Sequence, residues 1–293
     1  MTKPHPPHLH AAMVEEAVRA ALKEDLGLAG DVTSDATIPP DATATAVMNC
    51  REHGVLAGIG VAATAFQLID GETNFELLAH DGDVLTPGQS VARISGKARA
   101  LLSAERVALN YACHLSGIAS LTAEYAKAIA HTKAKVCCTR KTIPGLRTLE
   151  KYAVKCGGGA NHRFGLDDAI LIKDNHIAVA GGVKEAIDAA RAFAGHLIKI
   201  EVEVDTLEQL EIALAAGPDV VMLDNMSTDQ LREGVAMVAK YEKRRTPIEA
   251  SGNVNLDTIA AIAETGVDMI STSKITMSAP TLDLGLDMVI GKT

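Results

Sequence analysis

From Lys133 onward, apolar runs of strand length alternate with amphipathic runs of helix length, and no other feature narrows the fold as far. The apolar runs are AKVCC, AILI, LIKIEVEV, DVVML, PIEA and VDMIS. Between them, GGVKEAIDAARAFAG, TLEQLEIALAAG, TDQLREGVAMVAKYE and NLDTIAAIAETG repeat apolar residues every three or four positions, as a one-sided helix does. Strands that are apolar throughout and separated by helices belong in a parallel sheet covered by helices. So many units in succession predict a βα barrel, incomplete in strand number, with an open doubly wound sheet as the alternative. No GxGxxG or GxxxxGKS/T loop supports a nucleotide-binding sheet of the second kind.

The first third has a different texture. Val14, Val18, Leu22 and Leu26 recur at helical spacing and Gly27 follows, which predicts a helix with a glycine stop. TAVMNC, GVLAGI, NFELLA and SVARIS read as short strands, with a helix over 61–69, so this part is a small α+β layer. A long helix is expected from about Leu101 to Ala130, broken near Ser116-Gly117. At the far end, Leu282, Leu284, Leu286 and Met288 alternate with period two, a strand pattern that predicts a return to the first sheet. The expected domains are therefore 1–115, completed by a strand within 280–293, and a barrel over 116–279.

Charge and composition exclude several function classes. The net charge is −9, Trp is absent and aromatics make up 3%, so no basic surface or stacking platform for nucleic acid is expected. No apolar run reaches membrane-spanning length, and MTKPHPPHLH does not read as a signal peptide, which points to the cytoplasm and away from a membrane partner. Cys50, Cys113, Cys137, Cys138 and Cys156 have no CxxC spacing and read as free thiols. His5, His8 and His10 read as a polar leader in preference to a metal site.

An acidic protein can still carry a local basic pocket. Between Lys133 and Lys173 there are nine Lys or Arg and three acids. In a βα barrel, the residues at the carboxyl ends of the strands line the active-site mouth. Those ends supply Thr139-Arg140-Lys141, then Lys173-Asp174-Asn175-His176, then Asp224-Asn225, Ser251-Gly252 and Thr272-Ser273. Lys199, Glu201 and Glu203 share a face by alternation and are expected inside the barrel, where charges must be paired or hold an ion. The stretch CGGGANHRFGLDD adds His162 and Arg163 after a flexible glycine run. Arginine forks match carboxylates, and a Ser-Gly-Asn turn at 251–253 can offer N–H groups to phosphate. Converging cations and carboxylates suit anionic substrates and a divalent metal.

TRKTIPGLRTLEKYAVKCGGGANHRFGLDDAILIKDNHI closely resembles the signature region of the quinolinate phosphoribosyltransferase family. EDLGLAGDVTS, SGKARALLSAERVALN, VEVD, VMLDN and EASGNV extend the resemblance over nearly the whole chain. It implies an α/β fold, an N-terminal α/β sandwich plus a TIM-like barrel with fewer than eight strands. It further implies that quinolinate and phosphoribosyl pyrophosphate (PRPP) are joined with magnesium, giving nicotinate mononucleotide, pyrophosphate and carbon dioxide.

Carried onto this sequence, Arg140, His162, Arg163 and Lys173, with Thr139 beside them, match the dicarboxylate site. Arg106 in ERVALN matches an arginine given across a homodimer interface. Lys141 lies between the two substrates. Glu203 and Asp224 match the carboxylates for magnesium and the ribose, and Ser251, Gly252 and Asn253, with Thr272 and Ser273, the PRPP phosphates. Lys141, Lys173, Glu203 and Asp224 are the expected catalytic residues. STSKITMS departs from the family pattern at Ser273 and Met277, with Lys274 as a substitute phosphate contact. The rivals are a nicotinate-using relative, an aldolase or lyase with Lys173 or Lys199 as Schiff-base lysine, and a non-catalytic anion binder.

Overall fold

The computed structural model describes residues 8–241 and 246–289, so His5 and the last four residues of the expected terminal strand lie outside it. The chain divides into two compact units, one of residues 1–123, 142–158 and 278–293, the other of residues 124–141 and 159–277.

In the first unit, α1 (Ala11–Leu26) buries Val14, Val18 and Leu22 and stops where Gly27 takes φ 55°. The short α2 (Val32–Thr37) is capped by Asp31, whose Oδ1 accepts the Ser34 N–H at 3.0 Å. Strand β1 (Thr43–Cys50) buries Ala44, Ala46, Met48 and Cys50 on one face, the alternation its sequence carries. The run GVLAGI yields only the two-residue β2 (Gly54–Val55), because Gly58 at φ 86° turns the chain directly into α3 (Ile59–Ile69). Strands β3 (Asn74–Leu77), β4 (Val84–Leu85) and β5 (Ser90–Lys97) follow, with β2 paired to β4.

Helix α4 (Ala98–Ala128) then runs unbroken for 31 residues, so the expected interruption at Ser116-Gly117 is absent. Gly117 serves a different purpose: a Cβ there would lie 1.9 Å from the Pro280 carbonyl oxygen. The glycine admits a second stretch of backbone against the helix.

The second unit is a parallel sheet built from β6 (Lys135–Cys137), β7 (Ile170–Ile172), β8 (Ile200–Val204), β9 (Val220–Asp224), β10 (Ile248–Ser251) and β11 (Met269–Ser271). The strands are ordered β6-β11-β10-β9-β8-β7, a TIM-like barrel with fewer than eight strands. Among the described residues, Cys137 of β6 makes one isolated parallel bridge, to Ala160 in the segment ahead of β7. Connections are made by α5 (Arg147–Cys156), α6 (Asp174–Ala180), α7 (Val183–Phe193), α8 (Leu207–Ala216), α9 (Thr228–Lys240), α10 (Ile259–Ala263) and α11 (Lys274–Met277), of which α5 falls in the first unit.

Apolar strand residues such as Val202, Val204, Val221, Leu223 and Ala250 are buried, as a sheet covered by helices requires. Strand β12 (Leu284–Val289) belongs to the first unit and pairs antiparallel with β1, from Thr45↔Val289 to Cys50↔Leu284. It extends that sheet to the order β12-β1-β5-β3. Among the described residues, no helix is long and apolar enough to cross a membrane.

Candidate functional site

A cavity of about 700 Å³ opens at the carboxyl ends of the barrel strands. It is lined by Thr139, Arg140 and Lys141 after β6, His162 and Arg163 before β7, and Lys173 after β7. Glu203, Asp224, Ser251, Gly252, Asn253, Thr272 and Ser273 complete the expected set. The structure thus gathers every residue that the resemblance assigned to a substrate or metal except Arg106, which is exposed on α4 in the first unit, while the strand-end residues Asp174, Asn175 and His176 do not line the cavity.

The cationic side is held by short local bonds. The Lys141 N–H donates to Thr139 Oγ1 at 2.9 Å, and the Lys141 carbonyl accepts from Thr276 Oγ1 at 2.7 Å. Arg163 donates Nη1–H to the Ala169 carbonyl at 2.9 Å, while its buried Nε has no hydrogen-bond partner. Burial, and Arg140 beside it, lower the pKa of the Arg163 guanidinium. A crowded guanidinium with an unused donor is ready to receive an anion. The loop around it is tied by Asp168, which accepts the Phe164 and Gly165 N–H groups at 2.7 and 3.0 Å. Burial pushes the Asp168 carboxyl up, but these N–H donors and Arg163 outweigh it and hold the group below its usual range.

His162 has both ring nitrogens engaged. Nδ1 accepts the Arg163 N–H at 2.7 Å, so the ring proton resides on Nε2, which donates to Glu201 Oε2 at 2.9 Å. Both side chains are only 11% exposed. Glu249 Oε1 lies 3.9 Å from the same Nε2.

On the acidic side, Lys173 Nζ donates to Glu203 Oε2 at 2.5 Å, and Asn225 Nδ2 donates to Asp224 Oδ2 at 2.6 Å. The loops after β9 and β10 interlock through the Asn225 N–H, which reaches the Ser251 carbonyl at 2.9 Å. Asn225 and Asn253 take positive φ of 54° and 52°, and Gly252 between the loops has φ 93°. Asparagine tolerates that region and glycine is at home there, so the turn fits its residues.

Some expectations need correction. Lys199 does not reach the substrate cavity that Glu203 lines. It precedes β8 at the amino end of the barrel, is 67% exposed and donates to Asp219 at 3.1 Å. As a Schiff-base candidate it is outside this cavity. Lys274 lines the cavity, whereas Met277 does not and is exposed. Sequence reading also passed over two polar lining residues, Glu249 and Ser271. The signal for Glu249 was a lone carboxylate inside the apolar run PIEA, where the alternation that turned Ile248 and Ala250 one way turns it the other. Both directions prove to be buried.

The family model described as "Quinolinate phosphoribosyl transferase, C-terminal domain" matches residues 118–287, and the corresponding N-terminal domain model matches residues 31–116. The chain is 45% identical over 267 residues to a probable nicotinate-nucleotide pyrophosphorylase [carboxylating] of Bacillus subtilis (strain 168), covering 91% of this chain and 90% of that one. It is 44% identical over 278 residues to the nicotinate-nucleotide pyrophosphorylase [carboxylating] of Mycobacterium leprae (strain TN), covering 93% and 96%. The crystal structure of NadC from Streptococcus pyogenes superposes with a TM-score of 0.91 at 43% identity, covering 97% of this chain and 99% of that one.

Proposed function

The chain belongs to the quinolinate phosphoribosyltransferase family, and from that membership we infer that it joins quinolinate to PRPP, releasing pyrophosphate and carbon dioxide to give nicotinate mononucleotide for NAD biosynthesis. One observation carries this reading to the residues: a single cavity has cations on one flank and carboxylates with a glycine turn on the other. Two anionic substrates need such a division.

Arg140 and Arg163 grip the dicarboxylate through fork-shaped donors, and Arg163 Nε is a buried donor suited to that use. Lys173 reaches the same substrate while held by Glu203. Ser251, Gly252 and Asn253 present the turn that receives phosphate, and Lys141 stands between the two partners. Lys274 supplies the charge at the 5′-phosphate corner in place of the missing family residue, a reading supported by its position in the cavity lining.

The pyridine nitrogen is the nucleophile, so the protein's task is alignment and charge compensation, with no activated Ser or Cys. The five cysteines are free thiols, three of them buried. As pyrophosphate leaves, positive charge grows on the ribose, and Glu203 and Asp224 stabilise it from fixed positions.

The same two carboxylates fit magnesium, a hard cation that takes one or two protein carboxylates and completes its shell with water and substrate phosphate. When bound, it neutralises the departing pyrophosphate. We also propose that the protein works in the cytoplasm as a homodimer, each site receiving Arg106 from the second copy. The exposure of Arg106 and its absence from the cavity lining support this.

The deciding assay supplies quinolinate, PRPP and magnesium and follows pyrophosphate and carbon dioxide together. Equal release of both is expected. Turnover of nicotinate in place of quinolinate, without carbon dioxide, would replace this reading by the nicotinate-using relative.

A further inference from the structure

A second cavity of about 420 Å³ occupies the same barrel. Its lining includes Lys199, Val220, Pro247 and Met269, residues at the entering ends of β8, β9, β10 and β11, so it lies at the amino end of the sheet. The mouth cavity lies at the carboxyl end. Three residues line both: His162, Arg163 and Glu249. They form the partition between the substrate cavity and a rear chamber.

Glu249 is the unusual member. It is 4% exposed and its Oε1 has no hydrogen-bond partner, as is also true of Glu201 Oε1. Two carboxyl groups beside one imidazole, with ligand atoms within 4.8 Å of one another, first suggest a metal site. The histidine argues otherwise. Its Nδ1 accepts the Arg163 N–H, which leaves the proton on Nε2 and no lone pair there for a metal. What remains to relieve two crowded buried carboxyls is a proton.

The proposed reaction has one step with no proton source so far. When carbon dioxide leaves, its bonding electron pair stays on the pyridine C2, and that carbon must gain a proton to become nicotinate mononucleotide. Lys173 already donates to Glu203, and His162 has both nitrogens engaged. We propose that Glu249 is the acid that protonates C2, and that its proton is restored from solvent through the rear cavity. This rests on the activity inferred above.

In balance, the bond from C2 to its carboxylate breaks and carbon dioxide departs. The Glu249 O–H bond breaks as the C2–H bond forms. A carboxylate is left on Glu249, and one solvent proton resets it.

The surroundings keep the acid protonated for this step. Burial, then the charge of Glu201, push the Glu249 carboxyl up to about 7, against lowering by His162 and a Ser271 hydrogen bond. The groups facing it are Glu201 from β8, Ser271 from β11, Cys138 after β6, and His162 and Arg163 before β7; its neighbour in register on β9 is the uncharged Met222. A dicarboxylate arriving beside it favours the neutral acid further.

The test compares wild type, Glu249→Gln and Glu249→Asp, using quinolinate labelled in its 2-carboxylate. For Glu249→Gln we expect quinolinate affinity close to wild type and a melting temperature no lower than wild type, with kcat reduced about a hundredfold or more, the usual contribution of a general acid. The alkaline limb of kcat, at or above pH 7 in wild type, should vanish in the Gln variant, and Asp should restore part of the rate. Wild-type speed in Glu249→Gln, or an unchanged pH profile, overturns the proposal. So does a loss of quinolinate affinity that accounts for all of the lost activity, since that marks a structural role. If wild type itself releases no label, the activity reading fails first and this proposal falls with it.

Discussion

Glu249 makes a stability prediction that is separate from catalysis. Its carboxyl is raised from 4.5 to about 7 in the folded protein, so the folded state holds more protons than the unfolded chain between those values. Stability contributed by this group is therefore intact below pH 4.5 and falls as pH rises towards 7, by roughly 3 kcal/mol in all. Above pH 7 the loss is complete and the curve is flat. Gln at this position never ionises, so Glu249→Gln should gain on wild type in melting temperature between pH 5 and pH 8. Scanning calorimetry at the two pH values measures it, and parallel shifts would show that the side chain is not buried as described. Arg140 makes the opposite kind of prediction. It lines the cavity beside the crowded Arg163, so Arg140→Ala should weaken quinolinate by about 2–5 kcal/mol in titration calorimetry while leaving the fold intact.

At the scale of elements, the loops after β9 and β10 act as one piece. A Cβ on Gly252 would fall 2.2 Å from Asn225 Oδ1, at a φ of 93° that other residues adopt only under strain. Gly252→Ala should therefore raise the KM for PRPP about tenfold or more, equivalent to at least 1.4 kcal/mol, and leave quinolinate affinity alone, since its cations sit on other strands. Equal damage to both substrates in steady-state kinetics would contradict the division of the cavity into two flanks. Helix α4 gives a companion case. Gly117→Ala improves intrinsic helix propensity, yet its Cβ would meet the backbone of Pro280, and overpacking against backbone costs about 1–3 kcal/mol. A melting temperature lower by several degrees is expected.

These two glycines also mark what the sequence could and could not show. Period and strand ends were enough to collect Arg140, Lys173, Glu203, Asp224 and Ser251 at one mouth, because a parallel barrel converts strand order into position. Gly117 read as a break because local propensity carries no trace of Pro280, 163 positions away. Lys199 was misplaced because alternation fixes a face but not how deep along the strand a residue sits, and one residue before β8 it lies at the open amino end, 67% exposed. Glu249 stayed hidden for a similar reason: its meaning depends on His162 and Glu201, which arrive from other strands and loops.

At the scale of the whole molecule, the proposed sharing of Arg106 between two copies can be tested directly, because residues 139–274 alone line the cavity. The cavity is built wholly from the second unit, and Arg106 is an exposed residue of the first. If a second copy delivers it, the two functions separate genetically. Arg106→Ala and Arg140→Ala chains should each be nearly inactive alone. In a dimer of one with the other, the site on the Arg106→Ala chain has its own Arg140 and receives an intact Arg106 from its neighbour. The other site has neither. Random reassortment of equal amounts makes half the dimers mixed, each with one whole site, so about a quarter of wild-type activity should return if the interface is a two-fold one. If Arg106 serves its own chain, every site in every pairing keeps one lesion and no activity returns. Mass determination of the mixture establishes that mixed dimers have formed, and the assay then distinguishes the two arrangements without any assumption about how strongly Arg106 binds.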